Sequence, residues 1–538
     1  MSGIKLTFVD NFGLNADYLV HLNRKRKDVG GSREAYPEGK EYDRNTKIGM
    51  SQPSIVKNSL YKGLLNIFNM VIPIIVTPYI YRVLSPSAMG EYDYANTIYS
   101  YFNLFGLLGI VTYGIRELSR NRDEQEYVRK TYSALFSIGI ISNLTCFLIF
   151  AAFSYFAFHD NSSMFTLLII LSLNLISNFF NTEWINEAFE DFRFIAIKTA
   201  IIRLIYVVCI FIFIKSSEDI WIYALMVTIS NFLNYIISFF YSQKYTKFSV
   251  FSFSFDRTTI KKVLPFLFFI LLLENSGMLY TYLDRVMLGA YSSPDDVAYY
   301  SVGQRIMEIC RALLITITYV SLPRLSYYLG KDDKLYCESL NKLFSTIMML
   351  CIPLAVGLCV TGENIVLLFA GGQYTEATLP LMIFSIRVIT LMIEGVTAQQ
   401  VLFLHRKEKL VAVINIIFGL FNLILNYMLL KFDILTPVGA ISTTLFVEIG
   451  VIAAEIIYIK RKYNIDICIF SKRNLKYLAA SLLFIPIAIG VRHFELNNIL
   501  ALIVISFSCL IIYFGIMRLS KDMIYIEVSD KIKQTFIR

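Results

Sequence analysis

From Ser59 onward the chain alternates long apolar runs with short polar turns. The runs fall at 59–84, 93–116, 132–157, 163–186, 194–214, 220–242, 263–288, 298–322, 343–361, 377–402, 410–430, 438–459, 476–492 and 498–518. About twenty residues of helix cross a hydrocarbon core of about 30 Å, so the pattern predicts an all-α, polytopic membrane protein with about fourteen transmembrane helices. Residues 1–50 break the pattern: "HLNRKRKDVGGSREAYPEGKEYDRNTKIG" is polar and shows no helical apolar period. With no short apolar core behind its basic run it does not read as a signal peptide. It reads as a cytoplasmic arm, with Met50 as an alternative start just ahead of the first apolar run.

The turns sort the charges. Arg120, Arg122, Arg129 and Lys130 fill one loop, and Arg193 and Lys198, then Lys244 to Lys262, fill the next loops on that side. Lys331/Lys334/Lys342, Arg406/Lys407/Lys409 and Lys460 to Lys476 continue the series, whereas "HDNSS", "SSPDD" and "TGENIVLLFAGGQ" hold no Lys or Arg. Short basic loops stay in the cytoplasm, which puts both termini inside. The net charge of +9 is thereby assigned to one membrane face and the expected partners exclude nucleic acid. Composition agrees: 56% of the 538 residues are hydrophobic and 17% charged, against about 25% charged in soluble proteins. The eight cysteines form no C-x-x-C or Cys/His cluster and the four histidines are scattered, so neither a metal site nor a cofactor is expected. Loops this short leave no room for a soluble catalytic domain, and no enzyme activity is expected.

An internal echo organises the helices. "YIYRV" (Tyr79–Val83) matches "YLDRV" (Tyr282–Val286), each followed by a Pro-containing turn, and "TYGIREL" matches "TYVSLPRL" further on. Two parallel six-helix bundles are a recurring transporter plan. The expected division is 1–50 arm, 51–250 first bundle, 251–465 second bundle, and 466–538 an added helix pair with a cytoplasmic tail.

Charges lie inside the predicted spans: Arg82, Arg116, Glu117, Arg203, Glu274, Asp284, Arg285, Arg305, Glu308, Arg311, Arg387 and Glu394. A charge at mid-membrane costs about 2.5–3.5 kcal/mol on insertion scales and usually faces a bundle interior or a wet cavity. Asp284 and Arg285 are expected near an outer helix end, within reach of interfacial solvation, with Glu274 deeper. Arg305, Glu308 and Arg311, at i, i+3 and i+6, are expected to pair along one helix. The excess of arginine points to an anionic cargo, because guanidinium forks onto phosphate oxygens. Arg82, Arg116, Arg203, Arg285, Arg305, Arg311 and Arg387 are the candidate substrate-binding residues. Glu274, Asp284, Glu308 and Glu394 are the candidates for ion coupling. Tyr79, Tyr81, Tyr282, Tyr299 and Tyr300 read as interfacial belt residues, and Pro73 and Pro78 are expected to bend the first helix.

"NSLYKGLLNIFNMVIPIIVTPYIYRVLSPSAMGEYDYANTIYSYF", "EWINEAFEDFRFIAI", "LDRVMLGAYSSPDDVAYYSVGQRI", "LFAGGQYTEATLPL" and "INIIFGLFNLILNYMLL" occur in this order. In them the chain resembles bacterial polysaccharide flippases of the Wzx type. These belong to the superfamily that also holds multidrug-and-toxin extruders. The resemblance covers nearly all of residues 54–460. It implies transport of undecaprenyl-pyrophosphate-linked oligosaccharide from the inner to the outer leaflet of the bacterial cytoplasmic membrane. The cargo would be an O-antigen, capsule or similar repeat unit. It also implies alternating access of two lobes around a cationic cavity lined by the first, second, seventh and eighth helices. Arg82, Arg116, Arg285, Arg305 and Arg311 fall on those helices. Implied partners are the lipid-linked oligosaccharide, membrane lipids, H+ or Na+ as coupling ion, and a polymerase and glycosyltransferases. A drug/cation antiporter would instead want a cavity rich in acids, and a membrane-embedded polymerase or ligase would want a sizeable catalytic loop. A peptidoglycan-precursor flippase is a nearer neighbour that the motif order disfavours.

Overall fold

The computed structural model describes residues 55–246 and 257–536, and among these every assigned element is helical. The 1–50 arm, the Met50 start and the side chain of Glu274 lie outside the described residues. The first apolar run becomes α1 (Ile55–Val83), which continues through Pro73 and Pro78. The second is broken into α2 (Pro86–Leu107) and α3 (Ile110–Arg120). Leu108 and Gly109, with φ of 47° and 70°, make the break; the left-handed region suits the glycine and strains the leucine. Then follow α4 (Gln125–Phe158), α5 (Ser162–Ser177), α6 (Glu183–Ala188), α7 (Phe192–Phe213) and α8 (Ile220–Thr246).

The second half holds α9 (Arg257–Tyr291), α10 (Pro294–Tyr328), α11 (Asp333–Val360), α12 (Gly362–Phe369), α13 (Thr378–Glu394), α14 (Glu408–Lys431) and α15 (Pro437–Tyr463). A π-helical stretch, Gly395–Phe403, extends α13. Behind these come α16 (Lys472–Leu482), α17 (Phe484–Arg492), α18 (Asn498–Leu519) and α19 (Met523–Phe536). Thirteen helices among the described residues are long and apolar enough to span a membrane. The remaining expected span, 263–288, falls inside the 35-residue α9. The expectation of about fourteen helices is met.

The matched turns have one cause. Ser85 and Ser293 each stand before a proline at the first helical position and accept a bond from the backbone two residues past that proline (Ala88 N at 3.3 Å, Asp296 N at 3.1 Å). Serine at the cap satisfies an orphan donor, and proline costs nothing where no intrahelical N–H bond is required. Thr436 and Pro437 start α15 in the same way. The end of the bundle carrying the Ser85, Ser293 and Thr436 caps is called the outer end below, after the loop charges.

The helices up to α8 pack chiefly on one another, and α9 to α15 do likewise. α2 meets α9 and α10 across the seam between the halves. Each half buries polar clamps. In the first, Lys198 is buried rather than standing in a basic loop, and its ammonium bonds Glu183, the Asn234 carbonyl at 3.1 Å and Ser238 Oγ at 2.5 Å. In the second, Arg387 Nε bonds Glu448 Oε1 at 2.7 Å, with both side chains buried, and Thr390 Oγ1 bonds the other carboxylate oxygen at 2.8 Å. Arg387 thus ties α13 to α15 inside one half. Removing one partner of such a pair strands the other charge. Arg387→Ala is expected to cost about 3–5 kcal/mol of stability and to lower the thermal midpoint of purified protein. The double change Arg387→Met with Glu448→Leu should recover most of that loss in the same assay.

Candidate transport route between the two halves

At the outer end the seam is shut by contacts that require close backbones. A side-chain carbon added to Gly90 of α2 would fall 1.7 Å from the Pro294 carbonyl oxygen of α10, and one on Gly289 of α9 would fall 2.3 Å from the Tyr94 ring of α2. Asp93 of α2, with no exposed surface, accepts a 2.8 Å bond from Arg305 Nη2 of α10. The Arg305 guanidinium also lies 5.8 Å from the Tyr81 ring centre. The expected turn between α11 and α13 is instead folded into α12 and a 3-10 turn, Gly372–Ala377. It straps the first half: Gln373 Nε2 donates to the Tyr81 and Leu84 carbonyls (2.8 and 3.1 Å), and Tyr374 Oη to Leu84 O at 3.0 Å. Arg82, exposed at the end of α1, donates to Leu368 O of α12 at 2.5 Å.

Ser100 follows Asp93 by seven residues, so a cavity begins about 10 Å inward along α2 at 1.5 Å per residue. It has a volume of about 260 Å³ and is lined by Ser100, Tyr101, Asn103, Thr112, Asn275 and Tyr282 among others. α2, α3 and α9 supply these groups. The Tyr101 and Tyr282 rings meet edge to face at 5.8 Å, and Asn103 accepts from Asn178 Nδ2 at 2.7 Å. Past the cavity α9 touches the first half again: Val263 and Leu267 share one apolar cluster with Ile110 and Leu118 of α3 and Val128 of α4. Among the described residues the lining carries hydroxyls and amides and no acid or arginine.

The predicted arginines are therefore dispersed. Arg285 comes nearest the cavity: its guanidinium lies 5.1 Å from the ring centre of the lining residue Tyr282, and its buried Nε has no hydrogen-bond partner among the described residues. Arg305 guards the outer side and Arg82 holds the strap. Arg116 is exposed on α3 beside Tyr113. Arg203 is half-buried on α7, and Arg311 is half-buried on α10 with Glu394 as an electrostatic neighbour. Arg387 is committed to Glu448. The expected pairing along Arg305, Glu308 and Arg311 gives way to a different set: Glu308 accepts from Gln304 at 2.8 Å, while Arg305 turns to the deeper, drier Asp93.

Asp284 is not at a solvated helix end. It is fully buried, accepting from Asn426 Nδ2 at 2.6 Å on Oδ1, and from Tyr300 Oη at 2.7 Å and Thr444 Oγ1 at 2.5 Å on Oδ2. Tyr81 and Tyr300 are likewise buried, so neither is a belt residue. Asp93, Glu448 and Glu455 were not anticipated. Glu448 and Glu455, seven residues apart in "VEIGVIAAE", share one helix face, a signal present in the sequence.

Comparison with known proteins fits this geometry. The profile described as polysaccharide biosynthesis protein matches residues 55–329, about half of the chain. This chain belongs to that family. A MatE profile matches residues 268–428 of the same family member. A Shigella dysenteriae "Putative O-antigen transporter" is 23% identical over 74% of this chain and 98% of its own length. A Staphylococcus aureus "Capsular polysaccharide biosynthesis protein CapF" is 23% identical over 73% and 97%. Among solved structures, the lipid II flippase MurJ in an inward closed conformation superposes with a TM-score of 0.67. It shares 17% identity and covers 90% of this chain and all of that one, which shows the fold.

Closure at Gly90 generates a test. Gly90→Leu cannot pack against Pro294, so α2 and α10 must part. In a cysteine-free background with Ala298→Cys, a membrane-impermeant maleimide added from outside should label the Gly90→Leu protein several-fold faster than its Gly90 parent. Equal labelling would show that the seam stays shut by other means.

Proposed function

We propose that this protein carries undecaprenyl-pyrophosphate-linked oligosaccharide repeat units from the inner to the outer leaflet of the bacterial cytoplasmic membrane, with both termini in the cytoplasm. The observation that carries this reading is the cavity between α2 and α9, whose described lining supplies hydroxyls and amides, set one step inward of the Asp93–Arg305 pair. Sugar hydroxyls exchange hydrogen bonds with Asn and Ser/Thr groups and stack on tyrosine faces. The pyrophosphate needs cations, and Arg285 and Arg305 lie at the outer side of that cavity. A pocket of 260 Å³ is below the usual range for a drug-sized ligand, about 300–1,000 Å³, so the halves must part to admit a repeat unit.

The arginine–aspartate pair supplies a trigger. Incoming phosphate oxygens compete with Asp93 for the Arg305 guanidinium, and the outer seam loses its charge link as the anion binds. Arg82, Arg116, Arg203 and Arg311 stand as further contacts for anionic headgroups along the route. The arm and basic loops of the inner face concentrate anionic lipid before entry. Coupling to H+ or Na+ falls to the carboxylates Glu274, Asp284, Glu308 and Glu394. A polymerase and glycosyltransferases would act on either side of this step. The drug/cation antiporter reading draws support from the MatE match, yet the described lining residues offer hydroxyls and amides rather than a carboxylate to hold a cation.

Deleting the gene should cause undecaprenyl-linked repeat units to accumulate on the inner face while surface polymer disappears; unchanged lipid-linked pools would overturn the reading. Arg305→Lys, which keeps charge but not the fork, and Arg311→Ala should each lower surface polysaccharide by about tenfold or more at unchanged protein abundance, given the roughly 1.5–3 kcal/mol carried by a charged hydrogen bond. Immunoblots of polymer and protein check both.

A further inference from the structure

We infer that Glu455 of α15 and Glu394 of α13 form a proton-binding site in the inner half of the second bundle, completed by Thr397 and Asn415. This deepens the transport reading, on which its role in coupling rests, by naming the ion.

The hydrogens in this pocket do not match its acceptors. Glu455 has no exposed surface, and its Oε2 faces Thr397 Oγ1 at 2.5 Å while its Oε1 has no partner. The same Thr397 hydroxyl lies 3.2 Å from the Ile393 carbonyl and 3.2 Å from the Glu394 carbonyl. One hydroxyl hydrogen cannot serve all three acceptors. Asn415 of α14 bonds Glu394 and leaves its own buried Oδ1 without a donor. The pocket therefore holds more acceptor oxygens than donors, and a buried acceptor left unmade is costly. One added proton on the Glu455 carboxyl corrects this: its O–H donates to Thr397 Oγ1, and Thr397 then donates to the Ile393 carbonyl.

Charge points the same way. Arg387 of α13 is already bonded to Glu448 of α15. Arg311 of α10, Arg387 and Glu448 are the charged groups acting on Glu394. The ionisable group acting on Glu455 is Glu394 itself, a like charge. α14 offers the neutral Asn415, and α11 offers Tyr336, whose hydroxyl is spent on the Gln400 carbonyl at 2.8 Å. Two carboxylates that act on one another, one of them fully buried, cannot both stay ionised at low cost.

The site sits at a helix irregularity. Thr397 and Gln400 lie in the π-helical stretch Gly395–Phe403, a feature that clusters at functional sites. Gln400 Nε2 bonds the Thr318 carbonyl of α10 at 3.1 Å, and α10 is the helix that carries Arg305 to the seam. A change in the Thr397 bond therefore has a short physical path to the outer closure.

Infrared titration of the full-length protein in proteoliposomes, without cargo, tests this. The wild type should show a protonated-carboxyl C=O band that disappears as pH rises. Glu455→Gln, in which the amide takes the place of the protonated acid, should lack that band. Glu394→Gln should keep it and displace its midpoint. The same band and titration in wild type and Glu455→Gln would overturn the site, as would no titrating band in the wild type should Glu455→Gln fail to fold. Loss of the band at fixed pH on adding sodium chloride, but not potassium chloride, would overturn the proton in favour of sodium. Because no cargo is present, these failures leave the flippase reading standing. An unchanged lipid-linked pool on gene deletion would sink that reading and leave the band untouched.

Discussion

An aspartate with no exposed surface faces an arginine whose side chain is 31% exposed, each from a different half of the molecule. Neither charge is stable alone in hydrocarbon, so as long as they meet, α2 and α10 must stay together at the outer end. The glycines follow from that requirement, since Gly90 and Gly289 remove the side-chain carbons that would hold the backbones apart. The strap follows too: Gln373 and Tyr374 bond carbonyls at the end of α1 that the closed seam brings beneath them. Breaking a pair of this kind by removing one partner costs about 3–5 kcal/mol, whereas handing Arg305 from a carboxylate to a phosphate costs far less. A ligand that can take over one half of an ion pair is thus a natural key for this seam.

In the proposed route the cavity divides the cargo chemically. Hydroxyls and amides from α2, α3 and α9 suit a glycan, while guanidinium groups stand beside and outward of them and suit phosphate. An all-arginine pocket would carry repulsion that the bilayer cannot screen; the observed arrangement sets Arg285 beside an aromatic ring, and Arg305 and Arg387 beside an acid. Asp284 on α9 and the Glu394–Glu455 pair on α13 and α15 belong to the second half and are not among the described cavity-lining residues. Their influence on the seam runs through the helices that hold them.

The fold was legible because its rule is simple: about twenty apolar residues make a span, and every expected run overlies an observed helix or helix pair, with ends off by a residue or so. The Ser-Pro turns were legible for the same local reason. The breaks were not, because Leu108, the Asn178–Phe180 turn and the π stretch are imposed by packing between helices. The site was legible in part. Intramembrane charges announce themselves, so Arg285, Arg305 and Asp284 stood out, but partners on distant helices do not. Asp93 looked like the edge of an apolar run, and only the fold brings it 212 residues along the chain to Arg305. Tyr300 resembled a belt residue until Asp284 was seen to need its hydroxyl.

Transport by this route requires the outer seam to open. Tyr94→Cys with Gly289→Cys, in a cysteine-free background, places two thiols across that seam: the Tyr94 Cγ, whose place the cysteine sulfur takes, lies 2.4 Å from where a Gly289 side-chain carbon would sit, and the ring that would block it is removed. Oxidation should stop export of polymer to the cell surface, and reduction should restore it. Undiminished export by protein that is fully cross-linked would contradict the mechanism, because the cargo would then be crossing by a route that never parts α2 from α9.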